Sequence, residues 1–224
     1  MQSRTLWHRH PSAFLLSAQL ISLVLYPTMD ASESGRVLFG AAGLVVVALS
    51  LWVVNRSPAD NWVAWLLALP AVGITVVSIG LDRPDLLVWS SLFESGLYFY
   101  AAGSLIAYML RDHEVSTDEL FAAAATFTLL AWAFAYAFFV CQAWYPNSFT
   151  AIVNPDSPRT WMELLFLSFT TLSGVGIGDV LPIRAPARVL VMLEQFAGVG
   201  YIAAIVSRLI GLTIVRGRTR RRKG

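Results

Sequence analysis

Charged residues are scarce in this sequence. Only 13% of its 224 residues are Asp, Glu, Lys or Arg, while 57% are hydrophobic. A water-soluble domain carries about 25% charged residues, so this chain has too few to cover a surface that faces water. The composition therefore predicts an integral membrane protein.

Cysteine and a cleavable leader are also lacking. The single cysteine, Cys141, excludes a disulfide within the chain. Arg4 and Arg9 precede the first apolar run, but no short hydrophobic region with a convincing small-residue cleavage site follows them. We therefore expect a multi-pass protein of the cell (inner) membrane without a removable signal.

Six apolar runs are long enough to cross a membrane, which takes roughly 20 residues as a helix. The predicted spans are Pro11–Met29, Val37–Val54, Trp62–Leu81, Leu86–Leu110, Leu120 to about Trp144, and Pro186 to about Val215. These runs predict an all-α membrane protein. The fourth run has no interior arginine, whereas a voltage sensor needs several regularly spaced charges. We therefore expect residues 1–115 to form a four-helix transmembrane domain that is not a voltage sensor.

The basic residues predict the orientation of the chain. With six spans both termini lie on one side, and that side carries 11 of the 16 Lys and Arg residues. This excess predicts cytoplasmic N- and C-termini. Residues 216–224 form a basic cytoplasmic tail, and Arg216 to Lys223 either bind anionic lipid headgroups or serve only to set the topology. No nucleic-acid partner is expected.

The segment between the fifth and sixth runs is too short and too polar for another span. Residues 145–159 are polar and contain three prolines, whereas Trp161 to Leu172 is apolar but only about 12 residues long. That length is typical of a re-entrant half-helix, and Thr160 with Glu163 predicts a capping box at its start. Non-helical backbone at membrane depth occurs where it is buried in protein or lines a watery cavity. The segment therefore predicts a pore or a binding cavity.

Three alternating glycines follow this half-helix directly. Residues 173–179, here called the glycine loop, read Ser-Gly-Val-Gly-Ile-Gly-Asp. Glycine permits positive φ angles, and a backbone that alternates in handedness points successive carbonyl oxygens the same way, as in cages for a dehydrated cation. The same glycines contain a G-x-x-x-G helix-packing motif. Packing of that kind requires a continuous helix, which the short half-helix and the return through Pro182 argue against.

Residues 120–215 resemble the pore module of tetrameric potassium channels. The order of outer helix, short pore helix, glycine filter and inner helix is the same, and the glycine loop is similar to the T-T-V-G-Y-G-D of that family. The likeness is to bacterial two-helix-pore channels with four additional N-terminal helices. It implies a pore domain at 116–215, a homotetramer, and passive conduction of potassium with neither catalysis nor a cofactor.

The resemblance also implies roles for individual residues. The selectivity filter would comprise Ser173, Gly174, Val175, Gly176, Ile177 and Gly178, with K⁺ bound by the backbone carbonyls of Gly174, Val175, Gly176 and Ile177. Gly176 and Gly178 would supply backbone freedom, and Asp179 would hold the filter at its outer mouth. Gly198 and Gly200 would let the inner helix bend, with a gate near Ile205 to Leu209.

Two departures from the family pattern leave the selectivity open. Gly174 stands where the family has a threonine, and Ile177 where it has a tyrosine, so the first alternative is a poorly selective monovalent cation channel. Two carboxylates inside apolar runs, Glu94 and Glu194, motivate a second alternative, a proton-coupled transporter. The interpretation we favour makes Glu94 a structural hydrogen-bond partner. Glu194 then supports the pore helix and filter through Thr170 or Thr171.

Overall fold

The computed structural model describes residues 11–29, 45–52, 61–81, 83–111 and 117–222. Its helices are α1 (Pro11–Met29), α2 (45–52), α3 (Asn61–Gly80), α4 (Leu87–Arg111), α5 (Thr117–Trp144), α6 (Trp161–Leu172) and α7 (Ala185–Arg222). A single 3-10 turn, Pro84–Leu86, precedes α4. Two short strands, β1 (Phe149–Ala151) and β2 (Val180–Pro182), lie on either side of α6 in the sequence.

Several of these helices are suited to a membrane. Within the described ranges, α3, α5 and α7 are long and apolar enough to cross it, and α1 and α6 contain shorter apolar segments. The predicted all-α membrane fold is therefore confirmed. The count of six spans stays a prediction: α1 and α4 are not among the helices that meet this measure, and only residues 45–52 of the second predicted span, Val37–Val54, are described.

Helix α5 is the centre of the bundle. Residues on all of its faces are buried, among them Ala125, Leu129 and Phe138, as expected of a helix that is apolar all round. Helix α4 packs against it, with the Ser95 hydroxyl donating to the Ala133 carbonyl at 2.9 Å. This hydrogen bond satisfies the buried hydroxyl of Ser95 and links α4 to α5.

Helix α1 lies beside α5 and also contacts the start of α6. At the start of the two helices, the Ser12 N–H and hydroxyl donate to the Asp118 carboxylate at 3.3 and 3.2 Å. Near the end of α1, the ring of Tyr26 lies 6.0 Å from that of Trp161, the first residue of α6. The N-terminal helix therefore packs directly on the helices that frame the glycine loop.

Strands β1 and β2 establish the path of the chain around α6. They pair antiparallel, with Phe149 opposite Pro182 and Ala151 opposite Val180. Because β1 precedes α6 and β2 follows the glycine loop, the chain enters and leaves at one end of the bundle, here called the loop end. Helix α6 is therefore re-entrant, as predicted, although the sheet itself was not predicted.

Helix α6 descends to about the middle of the bundle. The Ser168 hydroxyl donates to the carbonyl of Ala131 at 2.7 Å, and Ala131 lies 13 residues before the end of α5, or about 20 Å along its axis. The glycine loop has seven residues with which to return to β2, and an extended chain of that length covers roughly 23 Å. The depth of α6 thus requires a nearly extended loop.

Candidate functional site: the glycine loop and its supports

Helix α6 begins at the predicted capping box. The Thr160 hydroxyl accepts from the Glu163 N–H at 3.3 Å, and the Glu163 carboxylate accepts from the Thr160 N–H at 2.6 Å. Two N–H groups at the start of the helix are satisfied in this way. The prediction is confirmed, and it places the start of α6 at the loop end.

Helix α6 ends through Gly174. This glycine has φ +75°, and its N–H donates to the Thr171 carbonyl at 3.0 Å. A left-handed glycine one position after the C-cap, here Ser173, is a common helix terminator because only glycine adopts it without strain. Where the potassium channel family has a threonine, this chain therefore has the residue that stops the half-helix.

The backbone alternates in handedness from Gly174 to Ile177. Gly176 has φ +65°, and neither Val175 nor Ile177 has a positive φ. The Gly176 N–H donates to the Thr170 carbonyl at 2.9 Å, which holds the turn against α6. Gly178 does not have a positive φ, so the expectation of backbone freedom at Gly178 is wrong. The positive φ angles occur at Gly174 and Gly176 instead. Gly174 forms the turn that ends α6, so the alternation begins one glycine earlier than expected.

The carbonyl oxygens of the glycine loop are available to a ligand. Across the described ranges, those of Gly174, Val175, Gly176 and Ile177 accept no hydrogen bond. Residues 173–179 are all exposed in the single chain. Backbone carbonyls without a protein partner require water or another ligand, so this loop presents four carbonyl oxygens that can bind one.

Asp179 joins the end of the glycine loop to the sheet. Its carboxylate accepts from the Val180 N–H at 2.8 Å, and its carbonyl accepts from the Ile152 N–H at 3.3 Å. In the part of the chain that the structure describes, no hydrogen bond links Asp179 to α6. Asp179 therefore anchors the loop at its exposed end and leaves its carboxylate near solvent.

Arg159 organises the entry to α6, a role that the sequence did not reveal. Its side chain is 1% exposed, and its guanidinium donates to the carbonyls of Val153, Asn154 and Ser157 and to the Glu163 carboxylate. The Gln142 side chain binds both backbone groups of Arg159, at 3.0 and 2.7 Å. One buried arginine thus ties residues 153–157 to α5 and α6.

Glu194 supports α6 through Ser168. The Ser168 hydroxyl contacts both the Glu194 carboxyl group and the Ala131 carbonyl, and Glu194 is fully buried. The predicted support by Glu194 is present, but the expected partners, Thr170 and Thr171, were wrong. The Thr170 hydroxyl donates instead to the Leu167 carbonyl of its own helix at 3.0 Å, and Thr171 has no side-chain hydrogen bond to Glu194.

Gly198 lies where α7 meets the end of α6. A Cβ atom at this position would stand 2.1 Å from the carbonyl oxygen of Leu172, whereas one at Gly200 would meet no described residue within 4 Å. Helix α7 continues without interruption through both glycines. Gly198 therefore has a close-packing role that the sequence did not predict, while its role as a hinge stays a prediction.

Two contacts fasten α7 to α5 further along the helix, around the predicted gate. The Tyr201 hydroxyl donates to the Ala123 carbonyl at 2.6 Å. Arg208 forms an ion pair with Glu119 at 3.2 Å, and both side chains are largely buried. The predicted gate segment, Ile205 to Leu209, is thus held against α5 within one chain.

Glu94 belongs to a separate polar cluster among α3, α4 and α5. The Ser90 hydroxyl lies 3.3 Å from Glu94 and 2.7 Å from the Thr75 hydroxyl, and Tyr136 of α5 interacts with Glu94. This is the structural bonding between helices that the sequence favoured. Among the described residues, Glu94 and Glu194 share no partner, which argues against a single site formed by both.

These features define a pore-loop membrane protein. The re-entrant helix α6 leads into the glycine loop, four of whose carbonyls have no protein partner among the described residues, and the long helices α5 and α7 flank them. Residues 124–214 match the family described as "Ion channel", whose domain has two transmembrane helices and a pore loop. The chain therefore contains an ion channel domain, formed by most of α5 together with α6, the glycine loop and much of α7. No curated protein matches the chain.

Proposed function

We propose that this chain is a passive, potassium-selective ion channel. Its filter is Ser173–Gly178, and the carbonyl oxygens of Gly174, Val175, Gly176 and Ile177 replace the hydration shell of K⁺. The observation that carries the proposal is that these four oxygens accept no hydrogen bond within the described residues. They also belong to a backbone that alternates in handedness, as carbonyls that share one direction require.

The proposed channel is a homotetramer, since one filter strand cannot surround an ion. Helix α7 supports this with an exposed apolar face that includes Met192, Phe196 and Val199, of which Phe196 is 82% exposed. Val175 of the glycine loop is 66% exposed in the single chain. Copies of the chain packed around a central axis would cover the α7 face and enclose the loop.

The orientation follows the excess of basic residues. Both termini lie in the cytoplasm, the loop end faces outward, and the protein crosses the cell (inner) membrane six times. Helix α6 then points its partially negative C-terminus at the central cavity, which favours a cation there. Residues 1–115 form the four-helix transmembrane domain without voltage sensing, and the tail from Arg216 to Lys223 lies on anionic headgroups.

A poorly selective cation channel is the second candidate. Gly174 carries no hydroxyl to complete the innermost site, and Ile177 carries none to brace the filter from behind. Gly174 and Ile177 are exposed in the single chain, so in a tetramer the residues that pack against them come from the other copies. Selectivity therefore depends on how firmly the assembled loop resists widening.

Purified protein in liposomes with a potassium gradient tests the proposal. A channel gives passive potassium flux, and reversal potentials with potassium on one side and sodium on the other measure its selectivity. A permeability ratio near one favours the poorly selective channel. Proton-dependent, saturable flux that collapses in Glu94→Gln favours the transporter, whereas a channel retains its flux in that variant. No flux in any condition contradicts both channel readings.

A further inference from the structure

Ser168 makes two oxygen–oxygen contacts, one with Ala131 and one with Glu194. If Glu194 were ionised, only one hydrogen would be available for the two. The Ser168 hydroxyl oxygen contacts two other oxygens, the Ala131 carbonyl at 2.7 Å and a Glu194 carboxyl oxygen. Each contact needs a hydrogen between its oxygens, because two lone pairs at hydrogen-bond distance repel. A serine hydroxyl supplies one hydrogen, and a backbone carbonyl supplies none.

The second hydrogen therefore has to come from Glu194. We propose that Glu194 binds a proton and, as a neutral carboxylic acid, donates to Ser168, which in turn donates to Ala131. The chain of two hydrogen bonds joins α7, α6 and α5 at a single point. Glu194 is then a positioning residue that holds the half-helix in register with both long helices.

The surroundings of Glu194 favour the neutral form. The carboxyl group is fully buried, and its second oxygen has no partner among the described residues. None of the ion pairs in the described part of the chain includes Glu194. An unpaired ionised carboxylate in such a place is very costly, whereas a buried carbonyl-type oxygen costs far less.

Other titratable groups on the three helices are directed elsewhere. Glu163 binds Arg159 and Thr160, Asp118 binds Ser12, Glu119 binds Arg208, Tyr136 binds Glu94, Cys141 interacts with Ser148, Arg188 binds the Pro182 carbonyl and Tyr201 binds the Ala123 carbonyl. None of these groups faces Glu194 with a charge. The proton on Glu194 is thus held by burial and by Ser168.

Loss of that proton would break the chain of hydrogen bonds. The Ser168 hydroxyl would turn toward the new carboxylate and leave the Ala131 carbonyl facing a lone pair. Ser168 is two residues before Thr170, whose carbonyl holds the N–H of Gly176. The inference rests on the proposed channel function to this extent: a shift of α6 displaces the filter, so ion flux depends on the proton.

Infrared spectroscopy of the full-length protein in liposomes tests protonation without reference to flux. The difference spectrum between the wild type and Glu194→Gln at neutral pH should contain the carbonyl band of a protonated carboxyl group. Glu94→Gln identifies the contribution of the other buried carboxyl. If the difference contains a carboxylate band instead, Glu194 is ionised and the proposal is overturned.

The pH profile of potassium flux tests the functional half. Wild-type flux should fall at alkaline pH, and so should that of Glu94→Gln. Glu194→Gln, whose amide still donates to Ser168, should conduct at neutral pH and lose the alkaline decline. Glu194→Ala and Ser168→Ala should lose roughly tenfold in flux at every pH, the equivalent of about one hydrogen bond. Ser168→Thr, which keeps a hydroxyl, should conduct more than Ser168→Ala.

The two readouts fail independently. An alkaline decline that persists in Glu194→Gln contradicts the functional half, even if the infrared band is present. Wild-type protein that conducts at no pH contradicts the proposed channel function, while the infrared spectrum still decides whether Glu194 holds a proton. Unfolding temperatures of each variant separate loss of the fold from loss of the hydrogen-bonded chain.

Discussion

Gly198 of α7 lies directly against the carbonyl of Leu172, the last residue of α6; a Cβ atom at position 198 would stand 2.1 Å from the carbonyl oxygen and 2.8 Å from its carbon. The backbones of the two helices therefore approach more closely than any residue other than glycine permits. One turn earlier on α7, Glu194 contacts Ser168 of α6. The inner helix thus holds the half-helix at two successive turns, next to the start of the glycine loop.

Replacement of Gly198 by alanine should displace the end of α6. The new methyl group would overlap backbone atoms, which cannot rotate away, and overpacking of this kind costs ~1–3 kcal/mol. We expect a lower unfolding temperature and a change in the potassium-to-sodium permeability ratio. Gly200→Ala is the matched control, because no atom of the described ranges lies within 4 Å of its Cβ position.

A hinge role for these glycines predicts a different pattern. Both alanine variants would then alter open probability in single-channel recordings, with the permeability ratio unchanged. Gly198→Ala with wild-type stability and selectivity would contradict the packing role. The comparison therefore separates a contact that positions the filter from a bend that opens a gate.

The features of the channel domain that the sequence predicted best are local. The bounds of α6 and its capping box follow from Thr160, Glu163 and the end of the apolar run at Leu172, all of which act within a few residues. The re-entrant path follows from length, since 12 apolar residues cannot cross a membrane. The positive φ of Gly176 was expected from the family pattern, whereas that of Gly174 was not, because it depends on where α6 ends.

The features that the sequence missed depend on contacts between distant residues. Ser168 looked like any small polar residue in an apolar helix, and only the packing of α6 between α5 and α7 brings its hydroxyl to Glu194. Arg159 is tied to α5 by Gln142, 17 positions earlier in the sequence, and no sequence pattern indicates that the carbonyls of residues 153–157 turn toward its guanidinium. Gly198 matched a hinge spacing, whereas its closest neighbour, Leu172, is far away in the sequence.

Alanine at the glycines of the loop should distinguish those that adopt left-handed conformations. Gly176→Ala and Gly174→Ala place a Cβ at φ +65° and +75°, which costs ~1–2 kcal/mol each. We expect loss of selective flux in both. Gly178→Ala should be milder, because its φ is not positive and its Cβ would only touch a Leu181 methyl group at 3.4 Å.

The positive φ of Gly174 also predicts the effect of Gly174→Thr. Threonine is the residue of the potassium channel family at this position, but a β-branched side chain at φ +75° is strained. We expect Gly174→Thr to destabilise the end of α6 rather than to sharpen selectivity. A higher potassium-to-sodium permeability ratio with an unchanged unfolding temperature would contradict this expectation.

Arg159→Lys should loosen the entry to α6 although the charge is kept. The guanidinium serves three carbonyls and one carboxylate from a buried position, and a lysine has a single ammonium group with fewer donors and no fork. We expect faster proteolysis within residues 145–160 of the detergent-solubilised protein and a lower unfolding temperature. Glu163→Gln is the control: glutamine still completes the capping box, and the carboxylate that it replaces is 35% exposed. Equal effects in the two variants would argue that the ion pair matters more than the carbonyl contacts.

The ion pair between Arg208 and Glu119 should bias the position of the last part of α7. Both groups are largely buried, so removal of one takes an opposite charge away from the other, and breaking a fully buried pair costs ~3–5 kcal/mol. We expect Glu119→Gln and Arg208→Gln each to change the ratio of open to closed time in single-channel recordings by roughly tenfold or more. The double variant should change it by clearly less than the product of the two single effects, and the exchanged pair Glu119→Arg with Arg208→Glu should recover part of the wild-type ratio.

Asp118→Asn is the matched control, since the neighbouring carboxylate binds Ser12 of α1 and an amide oxygen still accepts from it. Effects of Glu119→Gln and Arg208→Gln that simply multiply would mean that the contact does not couple α7 to α5 during gating.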